Sequence, residues 1–190
     1  QYWDGELPDA IPMMPEGVLE FETFKNNRKT KELVKKEWLP LGLDFEEVLP
    51  VAFQPEAHRH LTVVSDRKDG LERMHRALAK NMTLLPDSYQ TMIIDASEQN
   101  LSAFGNHVNA YLSDQSSMTA IKKDLLKEIE MRKETQQLSN KWMILITDLK
   151  DFAERSDLQE EEFARLLDDG PPSGIHLIIC SDYQYIGIGF

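Results

Sequence analysis

Trp-Met-Ile-Leu-Ile-Thr, residues 142–147, is the stretch that decides the fold, and Asp148 follows it directly. An apolar run without polar alternation is typical of a strand that is covered on both faces, as in a parallel sheet. Ligand-binding groups of open α/β sheets lie just beyond the carboxyl ends of their strands. The stretch therefore predicts an inner strand of an α/β domain and directs attention to the residue at its end.

Strands and helices alternate on both sides of this stretch. Further strands are predicted at 61–64, 91–95 and 175–180, and helices at 71–82, 116–138 and 157–167. Ser156 and Gln159 have the spacing of a capping box for the last helix. A strand pair at a sheet edge is predicted at 39–43 and 49–53, and one or two short helices at 97–112. This order predicts an α/β fold whose mainly parallel sheet carries helices on both faces.

The composition excludes several classes of protein. The chain has 190 residues, 41% of them apolar, which is enough for a buried core, and a formal charge of −12. Such an acidic chain lacks the attraction to phosphate that nucleic-acid and anionic-membrane binding require, so we expect no nucleic-acid partner. The single cysteine, Cys180, permits neither an intrachain disulfide nor a cysteine zinc site.

The amino-terminal segment differs from the rest. Pro8, Pro12 and Pro15 disfavour regular structure, so residues 1–24 are predicted to be a linker or extended arm and residues 25–190 the folded domain. Because the chain lacks an initiator Met and stops within an apolar stretch, we expect a piece of a longer protein that lacks its closing strands. No apolar stretch approaches the length of a bilayer span, so we expect no membrane insertion by this fragment.

The loop after the 61–64 strand occupies the position of a phosphate-binding P-loop. That motif has the form G-x-x-x-x-G-K-[ST] between a strand and a helix. In register with it stand Ser65, Asp66, Arg67, Lys68, Asp69, Gly70, Leu71 and Glu72. Only Gly70 agrees, because Leu71 replaces the lysine that contacts phosphate and Glu72 the hydroxyl that binds Mg²⁺. An ordinary acidic connection between strand and helix is the alternative interpretation.

Asp148 is a candidate remnant of a Walker B motif. In that motif an apolar strand ends in an acidic ligand of Mg²⁺. The next position, which holds a glutamate in many such ATPases, is Leu149 here. An aspartate at this point can equally be the cap of the following helix, and the sequence leaves both roles open.

Several segments resemble the FtsK/SpoIIIE-type ATPases. They are Leu-Pro-Leu-Gly-Leu-Asp at 39–44, the helix segment at 125–132, and Gly-Pro-Pro-Ser-Gly-Ile-His-Leu-Ile-Ile at 170–179. The last is similar to the G-R-x-x-G-I-H-L-I-L of that family, with Pro171 in place of the arginine. Asp182 stands where a glutamine would end the strand. Residues 11–16 resemble the linker before the last ATPase domain of type VII (ESX-like) secretion coupling proteins.

The resemblance implies a RecA-like P-loop NTPase fold and a role in protein secretion. Because each catalytic part of phosphoryl transfer is electrostatic, the replacements imply a degenerate domain without catalytic residues, which binds neither ATP, Mg²⁺ nor another metal. Substrate recognition and assembly of the secretion motor are then the expected roles. The alternative is an ATP-binding motor domain that energises export, and a DNA translocase is disfavoured by the charge.

The same resemblance implies partners and a location. The expected partners are neighbouring ATPase domains of the same chain and secreted WXG100-like proteins, with a hexamer in the full-length protein. The expected location is the cytoplasmic part of a cell-membrane protein. The helix at 116–138 and the aromatic residues Tyr183, Tyr185 and Phe190 are candidate contact surfaces.

Overall fold

Five strands form one parallel sheet at the centre of the computed structural model, which describes residues 17, 19–96, 101–136 and 140–182. The described residues form seven strands in all, which are β1 (Leu39–Leu43), β2 (Pro50–Phe53), β3 (Leu61–Ser65), β4 (Tyr89–Ile94), β5 (Ala110–Leu112), β6 (Lys141–Ile146) and β7 (Ile175–Asp182). The sheet has the order β3-β7-β6-β4-β5, and every neighbouring pair in it is parallel. The predicted α/β class with a mainly parallel sheet is confirmed.

Helices cover both faces of the sheet. They are α1 (Phe21–Asn26), α2 (Arg28–Lys35), α3 (Pro55–His58), α4 (Lys68–Met82), α5 (Gln115–Thr135), α6 (Leu149–Ser156) and α7 (Glu160–Asp169). The chain moves from β3 across to β4 and β5, then returns to β6 and β7. Because crossovers between parallel strands are right-handed, this reversal places α4 on one face and α5 to α7 on the other.

The core accordingly has two layers, one on each side of the sheet. One layer joins α4 and the strand residues that face it, and Leu78, Ile93 and Leu145 are fully buried there. The other joins α5, α6 and α7 to the opposite face and buries Leu125 and Phe152. The inner strands β6 and β7 are buried along most of their length, as their continuous apolar sequence predicts.

Two predicted features need correction, the strand pair at 39–53 and the region 97–112. Strands β1 and β2 pair antiparallel in a two-stranded sheet of their own and do not join the edge of the main sheet. The region 97–112, predicted as helix, contains a 3-10 helix at Ser102–His107 and then β5. The backbone N–H of Asn109 donates to the Thr91 carbonyl at 2.9 Å, so contact with β4 draws this segment into the sheet.

The capping box lies three residues later than predicted. Ser156 is the last residue of α6, a helix that the sequence did not reveal, and its hydroxyl donates to the Phe152 carbonyl at 2.6 Å. The box before α7 is formed instead by Gln159 and Glu162. The backbone N–H of Gln159 donates to the Glu162 carboxylate at 3.0 Å.

The expected boundary between arm and domain falls inside a helix. Helix α1 crosses the boundary at residue 24, and Phe24 is buried, so residues 21–24 belong with the folded part. Residues 1–16 and the aromatic tail at 183–190 lie outside the described residues, so the extended arm and the contact surface expected there stay predictions.

Candidate functional site

The residues singled out from the sequence gather at the carboxyl edge of the sheet. Because all five strands are parallel, β3, β7, β6 and β4 end on the same side. Ser65 is level with Asp182 on the neighbouring strand, and Ile146 with Ile94. Strand β7 lies between β3 and β6, so the P-loop position and the end of β6 are two strand spacings, about 10 Å, apart.

The connection in the P-loop position is short. Strand β3 ends at Ser65 and α4 begins at Lys68, which leaves only Asp66 and Arg67 between them. The Ser65 hydroxyl accepts a hydrogen bond from the Arg67 N–H at 3.0 Å, so the chain turns immediately. Leu71, in the position of the phosphate-binding lysine, already lies within the helix. Its N–H donates to the Arg67 carbonyl at 3.0 Å.

A cluster of ion pairs covers the start of α4. Arg67 donates to both carboxylate oxygens of Asp69, at 3.2 and 3.1 Å, and Arg73 binds the same carboxylate from the next turn. Hydrogen bonds from Arg67, and then from Arg73, lower the pKa of Asp69. The carboxylate in the first turn is therefore Asp69 and not Glu72, which lies one turn further along.

Asp148 begins a helix. Its side chain accepts a hydrogen bond from the Asp151 N–H at 2.9 Å, which makes it the N-cap of α6. Burial raises the pKa of Asp148. The neighbouring Leu149 points into the core, with 7% of its surface exposed. Of the two roles that the sequence leaves open, the structure shows the cap.

Cys180 lies near Asp148 on the adjacent strand. The thiol is fully buried, and burial, with a smaller contribution from the charge of Asp148, raises its pKa to about 12. A thiol with this pKa is protonated at neutral pH and is neither a nucleophile nor a metal ligand. Cys180 is a packing residue, as its place in an apolar strand predicts.

A buried polar network at the end of β4 was not identified from the sequence. Asp95 is 1% exposed and accepts hydrogen bonds from the Leu101 N–H at 2.9 Å and the Tyr111 hydroxyl at 2.8 Å. The Thr147 hydroxyl joins β6 to this point by accepting from the Ala96 N–H at 3.0 Å. Burial, followed by the hydrogen bond to Asp95, raises the pKa of Tyr111 to about 12. The sequence signal that could have revealed this network is the position of Asp95 at the end of a strand, which is also the feature that drew attention to Asp148.

His75 approaches this network from α4. The ring is 5% exposed, and its Nε2 is one of the buried polar atoms without a partner in the described part of the chain. Burial lowers the pKa of His75, and this effect exceeds the opposite effects of Asp95 and the Thr147 carbonyl. The imidazole is therefore neutral at physiological pH. The network can hold the ends of β4 and β6 in place but offers no charged group to solvent.

The segment before β7 is held from α5. Gly170 precedes a 3-10 helix at Pro171–Ser173, so Pro171, in place of the family arginine, starts that turn. The buried guanidinium of Arg132 donates to the carbonyl of Ser173 at 2.8 Å and to that of Asn140 at 3.0 Å. The segment thus has a structural partner inside the domain.

Within residues 19–96, 101–136 and 140–182, no group of three acidic, histidine or cysteine side chains is placed to bind a metal ion.

Curated proteins provide the first comparison. No family model matches the chain. It is 26% identical to the type VII secretion system protein EssC of Staphylococcus aureus strain MRSA252 over 186 residues, which is 97% of the chain and 12% of that protein. EssC of strain NCTC 8325 is 21% identical over a similar share. The chain resembles EssC. It spans about an eighth of the length of these relatives.

Solved structures with the same fold come from EssC and EccC. The cytoplasmic domain of EssC has a TM-score of 0.71 at 16% identity, covering 96% of this chain and 38% of that one. ATPases 2 and 3 of Geobacillus thermodenitrificans EssC give 0.70 at 19% identity, covering 95% of this chain and 35% of that one. Thermomonospora curvata EccC, solved with a signal sequence peptide, gives 0.65 at 18% identity, covering 80% and 30%.

These comparisons confirm the expected P-loop ATPase fold and the resemblance to type VII secretion ATPase domains. The EssC-like chain has the five-stranded parallel sheet of these domains. Within the described residues, no helix is both long enough and apolar enough to cross a membrane.

Proposed function

We propose that this chain is a non-hydrolysing ATPase-fold domain of a type VII secretion protein, located in the cytoplasm. Its roles are substrate recognition and assembly of the secretion motor. Similarity to EssC over 97% of the chain supports the secretion role. The P-loop position is the observation that supports the loss of hydrolysis.

A phosphate-binding loop needs several free backbone N–H groups and a cation. The motif places four residues between the positions of Ser65 and Gly70. Two of these four, Lys68 and Asp69, already belong to α4, so the remaining two-residue connection is too short to surround a phosphate. Of the nearby cations, Arg67 and Arg73 are both engaged by Asp69. Leu71 supplies no charge in the lysine position, so little remains to attract a triphosphate.

The end of β6 supports the same conclusion. One Asp148 oxygen is engaged by the first turn of α6, and burial favours the protonated form of this carboxyl group. Leu149, in the position of a water-activating glutamate, is apolar and buried. Because Asp148 caps α6 and Leu149 cannot act as a base, these two positions give little support to Mg²⁺-dependent attack on a phosphate.

Calorimetric titration with ATP and Mg²⁺ tests the nucleotide part. We expect no heat of binding and no release of phosphate from the unaltered chain. Leu71→Lys with Glu72→Ser should raise ATP affinity about tenfold from a very weak level without adding hydrolysis. Met74→Lys with Asp87→Ser changes the net charge equally at exposed positions and serves as the control. Micromolar ATP binding by the unaltered chain would instead favour a motor domain.

Recognition of exported proteins is the second part of the proposal. EccC was solved with a signal sequence peptide bound, and its ATPase domains share the fold of this chain. Small secreted helical-hairpin proteins of the WXG100 type, produced from the same genome, are the ligands to titrate by fluorescence anisotropy. Binding that persists without nucleotide supports recognition by a non-hydrolysing domain. Absence of binding to all of them would leave assembly as the remaining role.

A further inference from the structure

The turn between β1 and β2 carries the most exposed large apolar side chain in the described residues. Phe45 is 84% exposed, and Val51, on the following strand, is 41% exposed. Single exposed apolar side chains are common on protein surfaces, but this one is carried by a turn with ordered backbone, which makes it a candidate contact with another molecule. We call residues 44–48 the hairpin tip.

The hairpin tip is held in one conformation. The carboxylate of Asp44 accepts hydrogen bonds from the N–H groups of Glu46 at 2.9 Å, Glu47 at 2.7 Å and Leu49 at 2.9 Å. Val48 has a φ of +55°, in the left-handed region that β-branched residues disfavour. A turn that tolerates this strain and orders three amides presents Phe45 in a fixed position, which reduces the entropy lost on binding.

The charges at the hairpin tip point to a basic partner surface. Glu46 and Glu47 directly follow Phe45 and are exposed, and neither forms an ion pair in the described part of the chain. A surface that receives this tip should offer an apolar contact bordered by cations.

Helix α2 of the same chain offers such a surface. Thr30 is buried on its inner side, so Lys31 and Lys35, one turn apart, lie towards the outside and are exposed. Neither lysine forms an ion pair within the described residues, whereas Arg28 on the same side is paired with Glu32 at 3.1 Å. Half-buried Val34, three residues after Lys31, lies beside that lysine on the helix surface.

We propose that two copies of this chain associate through these two surfaces. Phe45 of one copy packs beside α2 of the other, and Glu46 and Glu47 lie against Lys31 and Lys35. The inference does not depend on the proposed function. A hairpin tip on a short helix buries less area than a stable dimer needs, so the isolated chain should associate weakly, with a Kd of about 100 µM.

Sedimentation velocity over about 10 µM to 1 mM chain tests the proposal. We expect the weight-average sedimentation coefficient to rise with concentration, and Phe45→Ser to weaken association about tenfold or more. Val64→Ser, at another exposed apolar residue, is the control and should change nothing. Both residues lie on the surface, and circular dichroism should show unchanged folding.

Charge reversal identifies the surfaces. Glu46→Lys with Glu47→Lys should abolish self-association, and so should Lys31→Glu with Lys35→Glu. An equimolar mixture of the two variants should associate again, because each hairpin tip then faces a helix of opposite charge. A monomer at every concentration, an unchanged Phe45→Ser variant, or a mixture that stays monomeric would each overturn the proposal.

Discussion

His60 should make the stability of this domain depend on pH. Its Nδ1 accepts a hydrogen bond from the Leu177 N–H at 3.0 Å, and its Nε2 lies 3.0 Å from the Leu167 carbonyl. The neutral ring with a proton on Nε2 satisfies both contacts, whereas a second proton on Nδ1 would face the Leu177 N–H. Burial, with smaller effects of His176 and Arg59, lowers the pKa of His60 to about 4.

The sign and size of the effect follow from this pKa. In the unfolded chain a histidine has a pKa of about 6.5, so between about pH 6.5 and 4 the unfolded state binds more protons than the folded state. The stabilising effect of His60 is complete above pH 6.5 and is lost as the pH falls towards 4. The difference corresponds to about 3 kcal/mol, which partial exposure of the ring reduces to about 2 kcal/mol.

Urea unfolding of His60→Asn tests this prediction. The asparagine oxygen can still accept from the Leu177 N–H, but the side chain no longer titrates. Between pH 7.5 and 4.5, the free energy of unfolding should fall about 2 kcal/mol less in this variant than in the unaltered chain. His107→Asn, at an exposed position, should behave like the unaltered chain. An equal fall in both His60 forms would refute the reasoning.

Two further predictions concern the segment before β7. Arg132→Met should lower the free energy of unfolding by about 2–4 kcal/mol, because it removes buried hydrogen bonds to two carbonyls. The control Lys127→Met, at an exposed position, should change this free energy by less than about 0.5 kcal/mol. Thermal unfolding measures both variants. Gly170→Ala would place its Cβ 2.4 Å from the Leu166 carbonyl oxygen. This variant should destabilise the domain by about 2 kcal/mol or more, whereas Gly42→Ala, which has open space around it, should not. Equal melting temperatures of the two alanine variants would contradict this expectation.

The periodicity of the sequence was sufficient for four strands of the main sheet and for α4, α5 and α7, but not for β5 and α6. Continuous apolar runs at β6 and β7 predict burial on both faces, and α4 and α5 show the spacing of helices that cover a sheet. The site was located less completely. The P-loop position and Asp148 lie at the carboxyl edge as expected. The buried network of Asp95, Tyr111 and Thr147 was missed. Along the chain Asp95 lies 16 residues before Tyr111 and Thr147 lies 36 residues after it, and only the sheet brings them together.

What the sequence determined by itself is the α/β class, the strand order along the chain and the absence of a lysine at residue 71. These depend on local apolar patterns and on residue identity. The tertiary structure alone decided that α4 begins only two residues after β3, that Asp69 and not Glu72 occupies its first turn, and that Asp148 caps α6. Helix starts depend on hydrogen bonds and ion pairs whose alternatives differ by about 1 kcal/mol, so packing of the helix on the sheet selects among them.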